Sequence, residues 1–309
     1  MNGNKISVII ATYNGEKFLK EQFDSIKNQT FVPDEVIIRD DGSTDGTVEF
    51  IEKYIEKYNL KSWKIIRNIK NLGWRKNFIQ LLQDSTGEII FLSDQDDVWD
   101  LNKIEKMYIE MENRSEVLLC SCNYRIINQS NKKVHIPKYK SIRQGNLDKV
   151  ILTKKIEQLR PGNTYAVRRM FLPYIYRFFK INENIPHDSA IEYSAKLLNG
   201  MYILPETLTS WRIHGDSTFS KEEGSKALIN YFDNMIIRYS SSLKFIEVLP
   251  KKRVDSIKYY RHYSSELKGF ENARKYLIEK KISRLLELVI HFKFRNVLRV
   301  FKFMILNND

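Results

Sequence analysis

Along the first hundred residues, short apolar runs alternate with stretches whose apolar side chains recur at helical spacing. KISVIIATYNG, residues 5–15, is a β-branched run closed by turn residues, which predicts a buried strand. Glu16 to Asn28 carries Phe18, Leu19, Phe23 and Ile26 on one helical face. DEVIIRDDGS predicts a second strand, and Thr47 to Tyr58 a second helix through Val48, Ile51, Tyr54 and Ile55. SWKIIRN predicts a third strand, Gly73 to Leu82 a helix, and GEIIFLSD a fourth strand. Strands alternating with helices imply an α/β fold with a mainly parallel sheet covered on both faces. In such sheets ligands gather at the carboxyl ends of the strands.

Beyond residue 100 the pattern loosens. Ile104 to Met111 predicts a helix, VLLCSCNYRII a strand, and residues 128 to 165 a loop-rich substrate region. A helix is expected over 187 to 199, and mostly helix from about 224 onward. The last stretch, LLELVIHFKFRNVLRVFKFMIL, puts Arg295, Arg299 and Lys302 on one stripe, with Phe294, Leu298, Phe301 and Ile305 opposite. The expected domains are residues 1–220, divided near residue 100 into a nucleotide-binding and an acceptor-binding half, and a basic, mainly helical region over 221–309.

Composition narrows the class. With 42% hydrophobic and 29% charged residues in 309, the chain can bury a sizeable core. Its longest apolar runs are far shorter than a spanning helix, and MNGNKISVII lacks the apolar stretch of a signal peptide. A cytoplasmic protein is therefore expected. Cys120 and Cys122 are read as pointing to opposite sheet faces, so neither a disulfide nor a metal clip is expected. The net charge is +13, and residues 221–309 supply nine of it, with 19 Lys and Arg against 10 Asp and Glu. That excess suits an anionic membrane surface, an acidic partner or nucleic acid.

Polar residues cluster where the strands end. They are Thr12, Tyr13 and Asn14 after the first strand, Asp40 and Asp41 after the second, and Asp94 to Asp97 after the fourth. No G-x-G-x-x-G follows the first strand and no G-x-x-x-x-G-K-[ST] occurs, which disfavours dinucleotide-dehydrogenase and P-loop readings.

The segments VIIATYNGEKFLKEQFDSI, DEVIIRDDGSTDGT, NLGWRKNF, GEIIFLSDQDDVW, PHDSAIEY and WRIHGDSTFS resemble those of family-2 glycosyltransferases, which have the GT-A fold. They run in family order from about residue 5 to about residue 220. The form SDQDDVW is most similar to bacterial rhamnosyltransferase-like members that build surface polysaccharides. The resemblance implies an inverting transferase using a nucleotide-diphosphate sugar, with Asp94 and Asp96 as its D-x-D. A divalent cation, Mn2+ or Mg2+, would neutralise the departing diphosphate. Asp96 is then the direct ligand, with Asp94 nearer the ribose or metal waters, and His214 beside the metal and diphosphate. Asp97 either supports the pair or caps the following segment. Asp40 is expected to contact a uracil or thymine base with Asp41 supporting, and Thr12, Tyr13 and Asn14 the base or ribose. Asn71, Gly73 and Asn77 either contact the nucleotide or shape a loop. Asp188 is the implied base that takes the acceptor hydroxyl's proton. Gly162, Asn163, His187, Arg212 and Trp99 are candidates for the acceptor or sugar pocket, Trp99 either stacking on a sugar or filling the core.

Plainer structural roles stand beside these. An acidic turn can cap a helix, DDGSTDGT can cap the helix at Thr47 through Asp45, and Pro186-His187-Asp188 can simply start a helix. A nucleotidyltransferase would need a Gly-rich basic loop after the first strand, which ATYNGEKF does not supply. A non-catalytic sugar-nucleotide-binding module predicts a broken site, whereas Asp94, Asp96, Asp188 and His214 are all present. Nucleic-acid binding explains the charge but not the carboxylates, so nucleic acid is not an expected partner. The expected acceptor is a glycan or lipid-linked glycan. The basic helices either pack, attach peripherally to an anionic membrane, or form a homo-oligomer.

Overall fold

The computed structural model describes residues 5–135, 148–149, 160–215, 225–249 and 256–279. The stripe around Arg295, Arg299 and Lys302 lies outside them, as does much of the segment 128–165. Four strands and three helices open the chain: β1 (Ile6–Thr12), α1 (Glu16–Lys27), β2 (Glu35–Asp40), α2 (Thr47–Lys57), β3 (Trp63–Arg67), α3 (Trp74–Asp84) and β4 (Ile89–Asp94). Then come β5 (Val98–Trp99), α4 (Lys103–Glu112), β6 (Leu119–Ile127), β7 (Asp148–Lys149), β8 (Tyr165–Arg168), α5 (Leu172–Ile181), α6 (His187–Leu197) and β9 (Met201–Arg212). Two long helices follow, α7 (Ser225–Val248) and α8 (Ser256–Glu279).

The described strands form one sheet in the order β3-β2-β1-β4-β8-β6-β9-β5, with β7 paired to β9. The pairs among β3, β2, β1 and β4 are parallel. In the second half β8 runs antiparallel to β4 and β6, while β6 and β9 are parallel. The parallel register places Thr12 beside Asp40, and Ala11 beside Asp94. Every strand that carries a polar cluster therefore ends on the same edge.

Burial explains the arrangement. Ile6, Val8 and Ile10 pack with Val36, Ile38 and Phe91 against Leu19, Phe23 and Ile26 of α1. The alternate residues Ile9, Ile37, Ile90 and Leu92 are also fully buried, as are Phe78, Leu81 and Leu82 of α3. A strand buried on both faces must be apolar throughout, which is why these runs are legible. Cys120 and Cys122 share one face, because positions two apart on a strand point the same way, and both join this apolar cluster as free thiols. The expectation of opposite faces is corrected.

The residues divide into two compact units, Met1–Tyr176 with Pro186–His214, and Arg177–Ile185 with Gly215–Asp309. In the second, Phe232 and Tyr239 of α7 pack on Phe270 of α8, Tyr239 meets Tyr263 edge-on, and Phe245 contacts Phe178 at 4.9 Å. No helix of the described residues is long and apolar enough to cross a membrane.

Candidate active site

Loops at the carboxyl ends of β1, β2 and β4 are stitched together by their own polar groups. Thr12 donates to Asp40 at 3.0 Å, and Asp40 also accepts from the N–H groups of Gly42 and Ser43 and from the Ser43 hydroxyl. Four donors fill the capacity of a carboxylate. Asp41 accepts from Asn68 and from the N–H groups of Leu72 and Gly73, which ties the loop before α3 to the end of β2. Gly73 needs its positive φ of 83° to enter that helix. Asn71 accepts from the Gly73 N–H, and buried Asn77 bridges Asn68 and the Arg39 carbonyl. Asn14, with φ at 48°, accepts from the Thr44 N–H, and its own N–H meets Ser43.

Gln95, inside the acidic run, reaches back to the first loop. Its Oε1 accepts from the Tyr13 N–H at 2.8 Å, and its Nε2 donates to the Tyr13 carbonyl at 3.1 Å. Glycine at position 15 makes room, since a Cβ there would lie 2.2 Å from Gln95 Oε1. The Tyr13 ring itself is exposed.

The aspartates separate into different environments. Asp94 is half-buried and its carboxylate accepts no hydrogen bond from the described residues. Burial, then the charges of Asp96 and Asp188, push its pKa up to about 7, against the opposing pull of Lys103. Asp96 Oδ2 lies 2.8 Å from His214 Nε2. Asp97 is fully buried and accepts from the Arg212 N–H at 2.9 Å and from the Asn163 amide, and burial raises its pKa well above the carboxylate range. It therefore braces β9 and the turn Gly162–Thr164. It does not cap α4, whose N-cap is Asn102.

Arg212 is also buried, and its guanidinium meets the Asp96 carbonyl, Asn131 and Glu21. These contacts hold the acidic loop from behind, so Arg212 does not line an open pocket. Trp99 is 2% exposed and packs in the main core beneath the loop. Lys103 is buried as well, with its ammonium 3.6 Å from the centre of the Trp99 ring and donating to the Asn163 carbonyl. Burial lowers its pKa to about 8.

Asp188 sits in the first turn of α6 and accepts from the Ser189 N–H at 2.6 Å. His187 is 5% exposed, stacks on Phe78 at 3.9 Å, and is pushed down to about 3 by burial and by Arg75. Neither of its ring nitrogens has a partner among the described residues. Gly162 faces this turn, where a Cβ would sit 3.1 Å from His187 Nε2. Asp96, Asp188 and Lys103 are thus all close enough to Asp94 to perturb it.

Carboxylate oxygens without hydrogen-bond donors, next to an imidazole, suit a hard divalent cation. Among the described residues no three His, Cys, Asp or Glu side chains converge tightly enough to hold a metal alone.

Residues 7–189, well over half the chain, match the sequence profile of Glycosyl transferase family 2. The chain belongs to that family. An uncharacterized glycosyltransferase of Nostoc sp. is 28% identical over 280 residues, covering 85% of each chain. Residues 1–349 of Staphylococcus aureus TarS, solved with UDP-GlcNAc, superpose with a TM-score of 0.62 at 20% identity, over 97% of this chain and 79% of that one. The mannosyltransferase PcManGT of Pyrobaculum calidifontis, solved with GDP-Man and Mn2+, gives 0.57 at 14% identity, over 99% and 81%. Both share the GT-A fold.

For this glycosyltransferase, sequence reasoning passed over Gln95, Lys103 and Arg75. Lys103 had a visible signal, because it lies on the apolar stripe of α4 with Met107 and Met111. A lysine on a buried stripe needs a counter-charge. Gln95 and Arg75 carry no such mark in the sequence.

Proposed function

We propose that the glycosyltransferase is a metal-dependent inverting enzyme. It moves a sugar from a UDP- or dTDP-type donor to a hydroxyl of a glycan or lipid-linked glycan in bacterial surface polysaccharide synthesis. The observation that carries this reading is the acidic run at the carboxyl end of β4, where Asp94 closes the strand and Asp96 Oδ2 lies 2.8 Å from His214 Nε2. UDP-GlcNAc in TarS and GDP-Man with Mn2+ in PcManGT support a nucleotide-sugar donor and a divalent cation.

Asp94 and Asp96, with His214, would hold the cation together with donor phosphates and water. When bound, the cation supplies charge neutralisation for the departing diphosphate. Asp188 accepts the proton of the acceptor hydroxyl as that oxygen attacks the anomeric carbon and the bond to the diphosphate breaks. Thr12, Tyr13, Asn14, Asp41, Asn71 and Asn77 belong to the loops facing the base and ribose. Asp40 acts by shaping its loop, since its carboxylate is already saturated. The basic surplus of residues 221–309 suits attachment to an anionic membrane that carries the acceptor.

The test is Asp188→Asn, assayed for UDP binding and for sugar transfer separately. Binding should survive while transfer falls about a thousandfold or more. Undiminished transfer removes Asp188 as the base. Flotation with anionic liposomes tests the membrane association, which fails if the intact chain and one ending near residue 220 float alike.

A further inference from the structure

Two described lysines of the first unit are buried, in different company. Lys196 has an ion pair with Glu192, one turn earlier on α6. Lys103 is fully buried, yet it forms no ion pair with the described residues. Its place is costly twice over. It is the first residue of α4, where the helix dipole opposes a cation, and burial strips its ammonium of water. An apolar side chain of similar size would fill that place without either cost. The function of the charge lies in what it holds.

What it holds is the turn Gly162–Thr164. The ammonium donates to the Asn163 carbonyl, while the Trp99 ring centre lies 3.6 Å from it. The Asn163 amide donates in turn to Asp97, the residue after Asp96. Gly162 abuts α6, because a Cβ there would lie 3.1 Å from His187 Nε2 and 3.7 Å from Asp188 Cβ. An unbroken set of contacts therefore runs from the acidic loop through Asn163 and Gly162 to Asp188.

We propose that Lys103 is a positioning residue that fixes the spacing between the metal-facing carboxylates, Asp94 and Asp96, and the base Asp188. It acts through Asn163 and is not itself a reacting group. This rests on the sugar-transfer reading above, in which the donor is held at one end of these contacts and the attacking oxygen loses its proton at the other. A shift of about 1 Å between the two ends costs about a hundredfold in rate and leaves each end able to bind.

Lys103→Met keeps the length of the side chain and removes the charge and the donor. Release of nucleotide diphosphate to water is measured for wild type with UDP- and dTDP-sugars and Mn2+. The donor hydrolysed fastest is then used for the variants, well below their unfolding temperatures. Lys103→Met should lower kcat about tenfold or more, with the KM for that donor and the Kd of UDP with Mn2+ within about twofold of wild type. In an Asp188→Asn background the same substitution should cost nothing further, because spacing to an absent base has no effect. Asn163→Ala cuts the link to Asp97, should give the same pattern, and decides alone if Lys103→Met does not fold. The proposal is overturned if kcat is unchanged, if UDP affinity falls along with it, or if the loss persists in full without Asp188. A wild type that hydrolyses none of these donors contradicts the sugar-transfer reading alone, and amide hydrogen exchange then decides the clamp. Lys103→Met should speed exchange at residues 162–164 and 187–189 together, and unchanged exchange at 187–189 overturns it.

Discussion

His214 Nε2 lies 2.8 Å from Asp96 Oδ2, joining the end of β9 to the acidic loop after β4 across 118 residues of sequence. Phe18 of α1 packs on the imidazole at 4.8 Å, so the ring is held from behind. His214→Ala is expected to leave the fold intact and to weaken Mn2+-supported UDP binding about tenfold or more, as measured by calorimetry with and without metal. Equal affinities for wild type and variant would remove His214 from the metal-facing set.

Gln95 and Gly15 form one device, so their variants should not add. Gln95→Ala loses both contacts to Tyr13, and Gly15→Ala drives a Cβ into the same amide. Each is expected to raise the KM for donor several-fold, and the double variant should resemble the worse single one. Additive losses in that double-mutant cycle would show that the clasp is not a unit.

Asp97 is assigned a bracing role, and stability measurements can separate that from catalysis. Asn at 97 places an amide against either the Arg212 N–H or the Asn163 amide, where an acceptor is needed. Asp97→Asn should therefore lower the unfolding free energy by about 2 kcal/mol in urea titrations. An unchanged midpoint contradicts the assignment.

The buried imidazole of His187 sets a pH dependence. Its folded pKa, about 3, is below the ordinary value of 6.5, so the native state stays neutral while the unfolded chain takes up a proton. Its contribution is complete above about pH 6.5 and declines as pH falls toward 3, at up to about 1.4 kcal/mol per pH unit. Wild type should lose about 2 kcal/mol more than His187→Phe between pH 7 and pH 5. Parallel pH profiles for the two proteins would rule out a neutral buried His187.

Much of the fold could be read before the structure. The strands β1, β2 and β4 are largely buried on both faces, and the helices between them show clean periodic stripes. β9 was not read as a strand, because MYILPETLTSWR contains Pro205 and several polar residues, and its pairing with β6 shifts register between Cys122 and Tyr124. The two-residue β5 and the four-residue β8 are too short to leave a pattern. The acidic run, Asp188 and His214 stood out through the motifs that resemble family-2 glycosyltransferases, since carboxylates alone are common at turns and helix starts. Arg212 was a pocket candidate and Trp99 was open between a sugar face and the core, and both side chains are buried. Residue type alone does not show which side of a loop faces solvent.

The central claim is that Asp94 and Asp96 form the cation-dependent seat of a nucleotide-sugar diphosphate. The most direct measurement is calorimetric titration of UDP into wild type and Asp96→Asn, each with and without Mn2+. Wild type should bind UDP about tenfold or more tightly when Mn2+ is present, and Asp96→Asn should lose that gain while keeping its fold. UDP affinity that ignores Mn2+, or an Asp96→Asn variant that retains the full metal-dependent gain, would contradict the account.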